Sequence, residues 1–327
     1  MLKYIAKRIL LMIPLLLVIL ILVFTISYFM PGDPALLAMP SNFTQEQYDA
    51  KVAQLGLDKG YLEQLWNYIS GIVFHFNLGT SYNTGQSVNA LIAGRVWVTF
   101  KIGILSCFVT LLLSIPIGIL AAVRQYSVLD YTCTTIAIVL AAVPGFWLAL
   151  MLIILFSQKL GWLPASGLAS WKHYILPVVC NALGPVAHIT RMTRSSMLEV
   201  IRQDYIRTAR SKGLKENVVI VRHALHNALI PIVTVASIQF SLIIGGSVIV
   251  ESIFSIPGMG SALVTAINNR DYPAIMGITF LISMFVCVIN MLVDVIYTFI
   301  DPRMKVQILG VSKKKKTAET GAAKGVA

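Results

Sequence analysis

Apolar residues in this chain gather into long runs instead of recurring at the helical or strand period of a soluble fold. Six runs of about twenty residues, the length at which a helix crosses a hydrocarbon core, fall at roughly 9–29, 98–122, 131–156, 174–190, 229–250 and 274–299. They predict an all-α membrane protein with six transmembrane helices. The polar stretch after the first run opens with Pro31-Gly32-Asp33-Pro34, a turn that cannot continue a helix, and predicts a small external cap with short helices near 45–55 and 61–72.

Two runs carry polar and helix-breaking residues. The fourth is short, holds Pro177, Gly184 and Pro185, and places Asn181 and His188 among apolar neighbours. Broken helices are tolerated at membrane depth where they meet protein or water, so this span is expected to be broken and to line a path; a kinked packing helix is the alternative. The fifth run contributes Gln239, Ser241, Gly245 and Gly246, which suit either a polar lining or close helix contact. Spans three to five are the expected walls of the path.

Composition explains why the runs matter. Of 327 residues, 57% are hydrophobic and 12% charged, and a Lys, Arg or Asp at a bilayer centre costs about 2.5 to 3.5 kcal/mol. The formal charge of +12 flanks the spans and forms no soluble basic domain, which argues against nucleic acid as a partner. With both termini on the cytoplasmic face, 19 of the 26 Lys and Arg residues lie inside, in keeping with the positive-inside rule. The first run, preceded by Lys3, Lys7 and Arg8, is long enough to be a retained anchor. The expected organisation is an anchor over 1–30, a cap over 31–94, a membrane core over 95–300 and a basic, disordered cytoplasmic tail over 301–327 that includes Lys313, Lys314, Lys315 and Lys316.

Candidate chemistry is sparse. Cys107, Cys133, Cys180 and Cys287 lie singly in apolar runs and read as packing residues. No G-x-x-x-x-G-K-[ST] loop is present, so the chain has no cradle for ATP, and no catalytic grouping stands out. His223 and His226 share a helix face but have no further ligands nearby, so no metal site is assigned. Asp294 lies inside the last span and is expected to hold Arg191 or Arg194 at the inner rim; Glu251, at the outer end of span five, is either a gate residue or an ordinary rim charge.

The loop between spans four and five is the most informative stretch. A helix is expected over 196–212, with Glu199 early, Arg210 and Lys212 in its last turn, and Gly213 closing it. A second helical stretch follows over 215–227 and ends near Pro231. Tyr205, Ile206, Ala209 and Leu214 interrupt the charges, which a merely solvated linker would not need.

This loop, from Asp204-Tyr205-Ile206-Arg207-Thr208-Ala209-Arg210-Ser211-Lys212-Gly213-Leu214 to Arg222-His223-Ala224-Leu225-His226-Asn227-Ala228-Leu229-Ile230-Pro231, resembles the cytoplasmic signature of type I ATP-binding-cassette importer permeases. The peptide and nickel branch is the most similar. Pro31-Gly32-Asp33-Pro34, Leu55-Gly56-Leu57-Asp58, Arg191-Met192-Thr193-Arg194-Ser195-Ser196-Met197, Phe254-Ser255-Ile256-Pro257-Gly258-Met259-Gly260, Arg270-Asp271-Tyr272-Pro273 and the stretch 290–297 resemble it as well, in order along the chain. Arg207-Thr208 stands where the broader signature has Glu-Ala, and Asn77-Leu78-Gly79 is looser than the branch's Asp-Leu-Gly.

The resemblance implies a permease subunit with the type I transmembrane fold over 95–300. Its partners would be a second homologous permease, two cytoplasmic ATPase subunits carrying ATP and Mg, and an external solute-binding protein. Asp204, Tyr205, Arg207, Thr208, Ala209, Gly213 and Leu214 would form the coupling helix and its exit. Di- or oligopeptides are the implied solutes, with glutathione-like compounds or nickel chelates as alternatives. A secondary transporter or scaffold working without ATPases is the competing class.

Overall fold

A computed structural model of the protein describes residues 2–37, 39 and 42–300. The first helix, α1 (Leu2–Tyr28), runs unbroken through Pro14. Asp33 then turns the chain, its Oδ1 accepting from the Ala35 amide at 2.9 Å at the start of the one-turn helix α2 (Pro34–Leu37). Helix α3 (Gln45–Leu55) starts on a reciprocal cap, with Thr44 Oγ1 accepting from the Gln47 amide and Gln47 Oε1 from the Thr44 amide. It stops at Gly56, whose φ of +66° suits glycine. Helix α4 (Tyr61–His75) completes the cap, a turn longer than expected.

The membrane core follows. Helix α5 (Val88–Val123) is 36 residues long and starts ten residues before the apolar run does. Helix α6 (Val128–Ala142) and helix α7 (Gly145–Leu152), the latter extended by a π-helical turn over Ile153–Lys159, meet at 105°. After a 3-10 turn comes α8 (Ile175–Ile201), then the short α9 (Asp204–Ser211). Helix α10 (Glu216–Val218) passes through a π-helical turn, Val219–Leu225, into α11 (His226–Ile253), so that 216–253 is one helical stretch of 38 residues. Helices α12 (Met259–Asn268) and α13 (Tyr272–Ile300) end the described part. The basic tail, 301–327, lies outside the described residues.

Two expectations change places. The fourth span is not broken: α8 runs through Pro185 for 27 residues. The break belongs to the third span, at Val143 and Pro144, where Val143 is extended (φ −77°, ψ 126°), the conformation favoured before proline. Packing accounts for the difference. Helix α8 is the most buried span, 56% of its apolar window against 11% for α1, and neighbours on both flanks hold it straight. Phe146 and Trp147, just past the break, are exposed.

Five described helices are long and apolar enough to cross a membrane, and the bent pair makes a sixth crossing. Contacts at its ends settle the count. Asp130, at the start of α6, binds Arg194 near the end of α8, whereas Gly167, past α7, donates to the Phe254 carbonyl beyond the end of α11 at 3.1 Å. The pair therefore passes from one face of the bundle to the other. The Leu2 end of α1 and the Ile300 end of α13 consequently emerge on the same face as α9, opposite the cap.

Helix α8 is the core element. It crosses α5 at Gly118, where a Cβ would lie 2.8 Å from the Thr190 carbonyl oxygen and 2.5 Å from Thr193 Cβ, so only glycine lets the backbones approach. On the outer helices the large side chains point away from the bundle: Leu10, Leu11, Leu22 and Ile26 of α1 and Phe108 and Leu112 of α5 are exposed. Apolar surface facing outward is what a bilayer solvent requires.

Candidate functional site

The loop after α8 folds differently from its expected outline. The helix expected over 196–212 is cut at Arg202 and Gln203, where Gln203 turns extended (ψ 149°). Glu199 therefore ends α8 instead of opening a helix. Asp204 marks the new start, its carboxylate at the positive end of α9. The second stretch does not stop near Pro231 but continues into α11.

Helix α9 has two faces. Ile206 and Ala209 are buried and pack in one apolar cluster with Met197, Val219, Ile220 and Ala224. Asp204, Tyr205, Arg207 and Thr208 point outward. Ala209, expected as a contact position, therefore serves to seat the helix. The Asp204–Arg207 pair at 3.7 Å is almost fully in solvent and contributes little to holding it. Arg210 forks onto Glu216 at 2.7 and 3.2 Å and closes the turn, while Gly213, at φ +74°, donates to the Arg210 carbonyl at 2.9 Å. Leu214, the residue after Gly213, is exposed, as is Tyr205 of α9.

A cleft of about 260 Å³ lies between the α6–α7 bend, α8 and α11. Six of the expected pathway residues line it: Asn181, Gly184, Pro185, His188, Gln239 and Gly246. Asn181 donates to the Ile243 carbonyl at 3.3 Å. Two expected residues are elsewhere. Ser241 donates to Asn290 Oδ1 of α13 at 3.0 Å, and Gly245 is exposed outside the cleft lining. In a span apolar on nearly every position, sequence alone does not mark which side faces the cleft.

The charged candidates resolve into separate structures. Arg194 is held by Asp130 in a two-pronged bond of 2.5 and 2.7 Å, with the Asp130 side chain 2% exposed. The apolar run that predicts this span starts at 131, one residue past Asp130. The signal was Ser127, which caps α6 by accepting from the Asp130 amide. The Asp294 side chain lies outside the described residues. Arg191 reaches only His188, Nη2 to Nδ1 at 3.2 Å.

Glu251 is no rim charge. It is fully buried, and its carboxylate accepts from Thr99 Oγ1 at 2.6 Å, the Gly260 amide at 2.7 Å and the Ser261 amide at 3.2 Å. Thr99 Oγ1 in turn accepts from the Met259 amide at 2.8 Å. The carboxylate thus binds the first turn of α12 and fastens it to α11 and α5. Side chains on Gly258 or Gly260 would collide with it, which explains the two glycines around Met259. A second fastening joins the cap: buried Asp271 accepts from Ser81 Oγ and, at 3.0 Å, from the Tyr82 amide. Burial, with Asp271 nearby, pushes the Tyr82 phenol up to about 12.

Comparison with known proteins agrees along the chain. Residues 1–103 match the N-terminal model, and 114–306 the main model, of the binding-protein-dependent transport system inner membrane component. The oligopeptide transport system permease protein AppB of Bacillus subtilis is 40% identical over 317 residues, covering 92% of this chain and 99% of that protein. A putative peptide transport system permease protein of Brucella abortus is 41% identical over 309 residues, covering 92% and 98%. The glutathione transport system permease protein GsiC of Pectobacterium atrosepticum is 39% identical over 305 residues, covering 93% and 99%. Among solved structures, the inward-facing MetNI methionine transporter superposes with a TM-score of 0.56 at 21% identity, over 64% of this chain and 96% of that one, a likeness of fold.

Proposed function

The chain belongs to the family of binding-protein-dependent transport system inner membrane components, multi-pass permease subunits of type I ATP-binding-cassette importers, and on that premise we propose that its solutes are di- and oligopeptides, with glutathione-like compounds as the alternative. It carries no ATPase site of its own; hydrolysis belongs to separate subunits.

The division of α9 into a seated face and a presented face is the observation that carries the mechanism. Ile206 and Ala209 tie the helix to the ends of α8 and α11, so a push on Tyr205, Arg207, Thr208 or Leu214 moves both spans. In this reading α9 sits in a groove of one cytoplasmic ATPase subunit, with ATP and Mg bound on the ATPases. Both chain ends then lie in the cytoplasm, the positive-inside count supporting that side. The cap over 31–94 faces an external solute-binding protein, the core over 95–300 carries transport, and a second, homologous permease completes the path as a heterodimer. The cleft of α6–α7, α8 and α11 is this chain's share of that path.

Reconstitution with the two ATPases, the second permease and the binding protein tests the proposal. Peptide-loaded binding protein should raise ATP hydrolysis and drive uptake of labelled peptide. A chain that isolates alone and takes up solute without ATPases would instead be a secondary transporter.

A further inference from the structure

One face of α8 carries Asn181, Gly184, His188 and Arg191 at steps of three to four residues, the helical repeat. The first three line the cleft; Arg191 follows one turn beyond His188, at the end nearer α9. Both His188 and Arg191 are exposed in the isolated chain. Their bond has one chemical sense. Arginine only donates, so His188 Nδ1 must accept at 3.2 Å, which puts the imidazole proton on Nε2. The pair therefore presents donors alone: a guanidinium with unused N–H groups and an imidazole N–H.

No described carboxylate answers that charge. Among the described residues no carboxylate lines the cleft and none forms an ion pair with Arg191. The next cation along α8, Arg194, is neutralised by Asp130, and Glu251 is consumed by its own three donors. Exposed just past the apolar part of α8, the guanidinium is left open to water or to an anionic ligand. Its planar fork matches a carboxylate in two parallel bonds, which a lysine would not reproduce.

The geometry points to Arg191 and His188 as a carboxylate subsite at the α9 end of the cleft, holding the free C-terminal carboxylate of a peptide in transit. This rests on the peptide-importer reading above and adds to it the end of the solute that is recognised. Gln239, farther along the cleft, offers its amide to the peptide backbone, while Leu242 and Ile249 supply apolar wall.

The test uses the whole importer in proteoliposomes, with trialanine and trialanine amide as probes. One binding-protein preparation serves every variant, so its own preference cancels when acid-to-amide uptake ratios are compared. Arg191→Gln should lower that ratio about tenfold against the parent, the loss expected for one charge-assisted hydrogen bond. His188→Phe should shift it in the same direction, and Arg191→Lys should restore part of it. Equal loss of both probes in Arg191→Gln would make the residue structural and overturn the subsite. So would an effect that vanishes in vesicles of phosphatidylcholine alone and shows no acid-to-amide discrimination, since the pair would then serve an anionic lipid headgroup. If the parent complex imports neither probe, the peptide reading falls and the subsite with it; if the parent imports both and the ratio does not move, the subsite alone falls.

Discussion

The Gly260 amide donates to the buried Glu251 carboxylate at 2.7 Å, so the start of α12 hangs on an acid at the end of α11. Glu251→Ala would leave the Gly260 and Ser261 amides and the Thr99 hydroxyl without their acceptor. At about 1 to 3 kcal/mol for each unsatisfied group, it should cost at least about 3 kcal/mol of stability. Glu251→Gln keeps the shape and one good acceptor and should cost less than half as much. Thermal unfolding of the purified complex in detergent compares the two, and equal melting temperatures would refute the fastening.

Asp130 and Arg194 join the start of α6 to α8. Arg194→Ala leaves a nearly buried carboxylate without its cation and should destabilise by about 3 kcal/mol. Asp130→Asn in the same chain should recover part of that loss, because a neutral amide is cheaper to bury than an unpaired charge. A double-mutant cycle on melting temperature measures the coupling; additive losses would show that the two side chains do not interact.

Gly118 and Gly94 lie on the same helix in opposite circumstances. Gly118→Ala drives a methyl group into the Thr190 carbonyl and should cost about 2 kcal/mol or prevent assembly. Gly94→Ala meets nothing within 4 Å and should be neutral or stabilising by about 0.5 kcal/mol. Expression level and melting temperature of the two variants decide it.

Seating and contact separate on α9. Ile206→Ala removes a fully buried side chain and should cost about 3 kcal/mol of stability. Arg207→Ala, on the exposed face, should leave stability within about 0.5 kcal/mol while lowering peptide-stimulated ATP hydrolysis several-fold. Gly213→Pro cannot adopt φ +74° and loses the bond to the Arg210 carbonyl, and should abolish stimulation while membrane insertion persists. Stimulated and unstimulated hydrolysis, with quantification of membrane-inserted protein, check all three.

The six crossings were legible because an apolar run of the right length has one solution in a bilayer. The cap helices were legible from Thr44 and Gly56, which start and stop α3 by local chemistry. The location of the break was not. Pro185 and Pro144 offer the same local signal, and only the packing of α8 between its neighbours distinguishes them. The side of α11 on which Ser241 and Gly245 sit was equally hidden, since a span surrounded by apolar matter has little contrast between faces. The ion pair of Arg194 is hidden for a simpler reason: Asp130 sits one residue before the apolar run begins. Elements fixed by neighbours in sequence could be read; those fixed by neighbours in space could not.

The unbroken stretch from Glu216 to Ile253 carries a mechanical consequence. At 1.5 Å per residue its 38 residues reach about 57 Å, with the seat of α9 at one end and Glu251 at the other. Tilting such a beam by about 5° displaces its far tip by about 5 Å, close to one helical turn. On the coupling proposed for α9, a small rocking on one side of the membrane would be geared into a stroke of several ångströms on the other, with no relay of intermediate contacts required to keep the two ends in time.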